Sequence, residues 1–186
     1  MRNLLLLLSV VGLIQISTAQ VKVGGATLPN TLSYDQTEFH LNGAGVRERF
    51  WISMYVSALY LTEKSQDAEA IMSADKPMAI RLHIVSKLIT SNRMVDAVTD
   101  GFEKSLDGNT APVQDRIDKL LGHFKEDIKK DDVFDLVYQP GKGITAYKNG
   151  VARGTVEGLD FKSALFGIWL SDDPADKNLK EKMLGK

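Results

Sequence analysis

LNGAGVRERFWISMYVSALYL, residues 41–61, sets three unlike patterns side by side. Gly43 and Gly45 bracket Ala44, and glycine permits a sharp turn or the close approach of another backbone. Arg47-Glu48-Arg49 is a charge cluster. Phe50 to Leu61 then holds no Gly or Pro and is rich in β-branched and aromatic residues, which predicts a long strand. Its odd positions are Trp51, Ser53, Tyr55, Ser57, Leu59 and Leu61. Its even positions are Phe50, Ile52, Met54, Val56, Ala58 and Tyr60. Both faces are largely apolar, so both should be covered. The even face is the drier one. The odd face mixes hydroxyls with aromatics, which suits a buried surface lining a cavity.

Outward from this segment the pattern alternates between periods. Upstream, Val21 to Leu32 reads as a short strand and turn around Gly24-Gly25 and Pro29-Asn30, and Phe39-His40-Leu41 as a short strand entering a glycine turn. Downstream, Asp67 to Ala74 reads as a short helix. Met78 to Leu88 is a second long strand with Met78, Ile80, Leu82 and Ile84 on one face and Arg81 and His83 on the other. Two helices follow. Thr90 or Ser91 can cap the first, which carries Val95, Val98 and Phe102 at helical spacing. The second starts near Thr110 with Pro112 in its first turn and buries Val113, Ile117, Leu120, Leu121 and Phe124. Val133 to Tyr138 is again a strand, and Asn149-Gly150 joins a hairpin. Asp160 is expected to cap a helix carrying Phe161, Leu165, Ile168 and Trp169, and Asp173-Pro174 to open a last helix. Strands, helices, strands, helices indicate an α+β domain with a mostly antiparallel sheet.

The N-terminus reads differently. Met1-Arg2-Asn3 is a short basic start, Leu4 to Ile16 an apolar run, and Ser17-Thr18-Ala19 a small-residue cleavage site before Gln20. That is the plan of a secretory signal peptide over residues 1–19, with one domain over 20–186 and a periplasmic or secreted destination. The run is short for a membrane span, and no stable membrane insertion is expected once it is removed. A formal charge of −1 gives no electrostatic case for nucleic acid. The chain has no Cys, which removes thiolate nucleophiles, thiolate metal ligands and disulfides, and suits a domain stabilised by burial. Oligomeric state is not encoded in any of these patterns.

Several familiar sites fail on spacing. Gly43-Ala44-Gly45 could begin a dinucleotide fingerprint, but the third glycine position is Glu48 and no βαβ unit follows. Pro140-Gly141-Lys142-Gly143 lacks the spacing of a phosphate loop and reads as a hairpin turn. His40, His83 and His123 have neither pairing nor carboxylate partners at metal-ligand spacing, so no metal site is expected.

The glycine-arginine segment resembles the start of the chalcone isomerase fold: Gly-x-Gly-x-Arg, then a strand ending in Leu59-Tyr60-Leu61. The tail is similar too. Phe161 to Leu170, Asp173-Pro174, Leu179-Lys180 and Leu184-Gly185 resemble the closing helices of the bacterial chalcone isomerase-like group. The resemblance spans about residues 27 to 185. It implies an open-faced β-sandwich, in which a long antiparallel sheet is backed by helices with a ligand cleft between them. Plant chalcone isomerases close a flavanone ring with an Arg in the glycine segment, a Thr on the next strand, a Tyr and an Asn on the first helix after the second long strand, and a helix Thr or Ser. Carried onto this chain, those positions fall on Arg47, Tyr55, Ser91, Val98 and Ile168. Only the Arg is kept, which argues against flavanone cyclisation.

The plastid fatty-acid-binding branch of this fold carries an Arg at the same place and a Tyr on the following strand, and Arg47 and Tyr55 resemble that pair. A guanidinium takes a carboxylate through two parallel hydrogen bonds, and a phenol can add a third donor. The resemblance thus implies an exported, non-catalytic protein binding a small apolar carboxylic acid. Arg47 and Tyr55 would be the anchor, and Trp51, Ser53, Ser57 and His83 would line the cleft. Three alternatives stand beside it: an isomerase or lyase on a polyphenol-like substrate, a haem binder using a propionate on Arg47 and His83 near the iron, and a structural envelope protein with a collapsed cleft. Against all of these, Arg47 could form a plain surface ion pair.

Overall fold

The computed structural model of this chain describes residues 20–186, so the signal-peptide expectation for 1–19 lies outside the described residues. Strands β1 (Gln20–Val23) and β2 (Ala26–Pro29) form a small hairpin. β3 (Thr31–Tyr34), β4 (Thr37–Arg49), β5 (Ile52–Leu61), β6 (Met78–Ile84), β7 (Val133–Gln139), β8 (Gly143–Lys148) and β9 (Val151–Val156) form one antiparallel sheet in chain order. Helix α1 (Ala68–Ser73) lies between β5 and β6. Helices α2 (Ser91–Ser105) and α3 (Gln114–Gly122) lie between β6 and β7, and α4 (Leu159–Leu170) and α5 (Lys177–Met183) follow β9. This is the expected α+β architecture, an open antiparallel sheet backed by helices.

The sheet is covered on both faces, as the two-sided apolar pattern of β5 requires. Leu59, Leu61, Ile80, Leu82, Ile84, Leu136 and Ile144 pack with Phe102, Ile117, Phe161, Leu165 and Phe166 of the helices. Val56, Ala58 and Tyr60 point the other way and pack with Ala26 and Leu28 of the β1–β2 hairpin and with Phe39. On this second face the Arg81 guanidinium grips the buried Asp135 carboxylate at 2.6 and 2.9 Å, and Tyr34 donates to the same carboxylate at 2.6 Å.

The glycines of the opening segment do not make a turn. β4 runs through them as a continuous thirteen-residue strand. Their role is close approach: a Cβ on Gly43 would stand 2.2 Å from the Lys182 carbonyl oxygen and 2.7 Å from that of Met183. One on Gly45 would stand 2.8 Å from Lys182 Cβ. The C-terminal turn of α5 therefore rests directly on bare strand backbone. Asn42 bulges out of register beside this contact, and its amide donates to the Met183 and Ser65 carbonyl oxygens. The turn comes later, at Phe50-Trp51, and a second bulge at Met54 shifts β5 against Arg47 and Glu48. The predicted strand start at Phe50 is thus corrected to Ile52.

Helix α4 is apolar nearly all round and buried, as a central helix should be. Its exception is Lys162, fully buried, whose ammonium donates to the carbonyl oxygens of Ile71, Met72 and Ala74 at 2.6–2.8 Å. Those are carbonyls at the C-terminal end of α1, which have no partner within their own helix. Burial pulls the Lys162 ammonium down to about 8, with the Asp75 carboxylate acting the other way. Two helix starts differ from expectation. Asp160 lies inside the first turn of α4, paired with Arg116, and α5 is capped by Asp176 rather than opened by Asp173-Pro174.

Three variants test this packing. In urea denaturation, Gly43→Ala should lose about 3 kcal/mol, because its Cβ meets backbone that cannot rotate away. Gly122→Ala, at a helical site with open space and no positive φ, should be neutral or gain about 0.5 kcal/mol. Lys162→Met should cost about 2–4 kcal/mol, since the Ile71 and Ala74 carbonyls then lose their side-chain donor and Met72 keeps only the Ser163 hydroxyl.

Candidate functional site

The bulge at Met54 turns two consecutive side chains, Met54 and Tyr55, toward the helix layer. Beyond them the sheet and helices part, leaving a cavity of about 430 Å³. That volume is within the usual range for small-molecule sites. Leu82 of β6 forms its floor with Met54 and Tyr55. Met94, Val98 and Gly101 of α2 form one wall, and Ile168 and Trp169 of α4 the other. Gly101 lets the walls meet, since a Cβ there would stand 2.7 Å from Ile168 Cγ2. Charged groups line it as well: Arg47 and Arg49 from the end of β4, and Arg93, Asp96, Asp100 and Lys104 from α2.

Arg47 lies near the end of β4. Its side chain is 26% exposed, and one Nη1–H donates to Asp176 Oδ2 at 3.0 Å. The other oxygen of Asp176 accepts from the Leu179 backbone N–H at 3.0 Å, so Arg47 steadies the cap of α5. Nη1 also donates to the Glu48 carbonyl oxygen. Nε and Nη2 have no acceptor among the described residues. Tyr55 lies directly across the β4–β5 ladder from Arg47. Its oxygen accepts from Trp169 Nε1 at 3.2 Å, and its own proton has no acceptor among the described residues. Burial pushes the Tyr55 hydroxyl up, against the pull of Trp169 and Arg47, so it remains a neutral donor at physiological pH. The site thus presents free guanidinium N–H groups and a phenol O–H at one end of an apolar cavity.

Of the residues expected at the cleft, Arg47 and Tyr55 line this cavity together. The other four do not. Trp51 is in the β4–β5 turn, 94% exposed, because the strand begins one residue after it. Ser53 sits half-buried opposite Glu48, outside the cavity wall. Ser57 has the right face but is fully buried beside Gly45, where α5 closes the space. His83 is on the opposite sheet face from Leu82, near Asp131 at 3.8 Å. The cavity wall contains no histidine, so an iron ligand at His83 does not fit a haem held by Arg47.

The positions carried over from the isomerases are informative. Arg47, Tyr55, Val98 and Ile168 all line the cavity, while the Ser91 hydroxyl is turned away to the Phe124 carbonyl oxygen at 2.5 Å. Val98 and Ile168 thus present hydrocarbon to the cavity. Two contributors were not expected. Trp169, read from the sequence only as part of a helix, is a cavity wall whose indole N–H donates to Tyr55. Asp176 precedes the apolar pair Leu179 and Met183 at helical spacing, a cap signature that could have been read from the sequence.

The family described as chalcone isomerase-like matches residues 20–185. No curated protein matches the chain. Among solved structures, the crystal structure of an Arabidopsis thaliana fatty-acid binding protein superposes with a TM-score of 0.71. It is 20% identical, and the match covers 89% of this chain and 96% of that one. At that identity the likeness establishes a shared fold.

If Arg47–Asp176 is a partly exposed pair, Asp176→Asn should lose about 1 kcal/mol or less in urea denaturation. Asn caps helices as well as Asp, so α5 should stay folded by circular dichroism.

Proposed function

This chain belongs to the chalcone isomerase-like family, and from that premise we propose that it is an exported, non-catalytic protein binding a small apolar carboxylic acid. The observation that carries the reading is the juxtaposition of Arg47 and Tyr55 in a cavity whose apolar wall is Met54, Leu82, Met94, Val98, Ile168 and Trp169. The carboxylate takes the unoccupied guanidinium N–H groups and the Tyr55 proton, and the hydrocarbon tail lies between α2 and α4. Each buried methylene contributes about 0.8 kcal/mol, so tail length sets much of the affinity. The fatty-acid binding protein that shares the fold supports a ligand of this kind. Val98 and Ile168 support a site without flavanone cyclisation, since neither can take the place of the Asn or the helix Thr or Ser of that reaction.

A second reading has its own observation. Arg47 bonded to Asp176 serves as a strut for α5 and needs no ligand. Titration with laurate and palmitate, followed by native mass spectrometry and calorimetry, separates the two. Binding should weaken at least tenfold in Arg47→Ala and a few-fold in Tyr55→Phe. It should persist in Asp176→Asn, which removes the strut and keeps the anchor. Dodecanol should bind more weakly than laurate. Absence of binding by the wild-type chain, or equal losses in Arg47→Ala and Asp176→Asn, would leave the strut as the role of Arg47.

A further inference from the structure

The β4–β5 turn is made of residues that do not suit it. Phe50 and Trp51 are its central pair, with φ of 51° and 60°. Positive φ at both positions is the geometry that Asn and Gly adopt with least strain, and bulky side chains are disfavoured there. Both rings are largely open to solvent: Phe50 is 76% and Trp51 94% exposed. Ile52 and Leu88 beside them are each 44% exposed. Aromatic residues in a strained, solvent-facing turn stabilise little within the chain, and such a patch marks an interaction surface.

The patch is continuous with the cavity. Phe50, Ile52 and Leu88 share a groove with Arg49, Met54 and Arg93, and the last three also line the cavity. Its charge is mainly positive. The Arg49 guanidinium lies 5.5 Å from the Phe50 ring centroid, Arg93 donates to the Leu88 carbonyl oxygen at 2.8 Å, and Lys87 is exposed in the same loop. Glu48 is the acidic residue leading into the turn, and Asp96 faces the cavity from α2.

We infer that this hairpin tip docks the chain on an anionic lipid surface, with the cavity rim turned toward the bilayer. Trp and Phe are suited to the headgroup boundary, where one side of the ring is apolar and the other wet. Guanidinium groups behind them reach lipid phosphates in bidentate geometry. A projecting turn with two rings at its tip suits a fluid surface better than a shaped protein groove. No helix among the described residues is long and apolar enough to cross a membrane, and interfacial docking requires none. The docking does not depend on what the cavity holds, so it stands or falls separately from the ligand.

The test uses residues 20–186, which carry the whole described fold, so that the apolar run Leu4 to Ile16 cannot contribute. The protein is mixed with vesicles of phosphatidylcholine alone or of phosphatidylcholine with phosphatidylglycerol, and tryptophan emission and sedimentation are read. Anionic vesicles should carry the protein down, shift its emission to the blue and, when brominated on their acyl chains, quench it. Trp51→Phe should lose the shift, which assigns it to Trp51 rather than the buried Trp169. A Phe50→Ser/Trp51→Ser double variant should partition at least tenfold more weakly. Added salt should weaken binding. Quenching of the wild-type protein decides the matter alone if the double variant does not fold. Unchanged emission with both vesicle types, or undiminished sedimentation of a folded double variant, overturns the proposal. A blue shift that grows with protein concentration without lipid overturns it in favour of self-association.

Discussion

The seating of α5 on bare strand backbone at Gly43 and Gly45 is the constraint on which the rest depends. At Gly43 the end of the helix leaves no room for a side chain, so backbone rather than adaptable packing sets α5 there, and at Gly45 the strand admits Leu179 and Lys182. Asn42 then ties the end of α5, and Asp176 at its start reaches Arg47. Between those two attachments the helix covers Ser57 and stops short of Tyr55. The cavity begins where α5 ends its cover, and its polar end is formed by the residues that hold the helix down.

The cavity also requires that the helix layer be held against the sheet without filling it. Gly101 allows α2 and α4 to meet at Ile168, closing one end, while Phe102 and Phe161 stack at 5.6 Å behind that contact. Lys162 fastens α4 to α1 from within the core. A buried ammonium satisfied by three carbonyls is directional in a way that hydrocarbon contacts are not. It fixes the rotation of α4, and with it the side of the helix on which Ile168 and Trp169 emerge.

The period of the side-chain pattern made most of the fold legible in the sequence. The β6 alternation of Met78, Ile80, Leu82 and Ile84 was correct, and so was the helical spacing of Val98 and Phe102. What escaped was whatever breaks a period. The bulge at Met54 cannot be seen in a run that is apolar on both faces, and without it Ser53 is assigned to the wrong face, while Trp51 reads as strand where the chain turns. The glycines were recognised as special, but a turn and a close helix contact make the same demand on composition. Only the location of α5 distinguishes them. His83 shows a different limit: its parity placed it opposite Leu82, and that parity outweighs its chemical suitability for a cleft. Trp169 could not be separated from core because a cavity wall and a core face have the same hydrophobic pattern.

Asp176 gives the polar end of the cavity a resident counter-ion. An arginine facing an empty apolar space would be a poorly solvated charge, and one paired in advance avoids that state. The same pairing lowers the net field felt by any anion that approaches, since it meets something closer to a dipole than to a bare cation. On the proposed reading, recognition would then depend on hydrogen-bond direction and on the length of hydrocarbon that fits. Such a pocket would sort molecules by shape and chain length and would release them readily when an apolar acceptor is near.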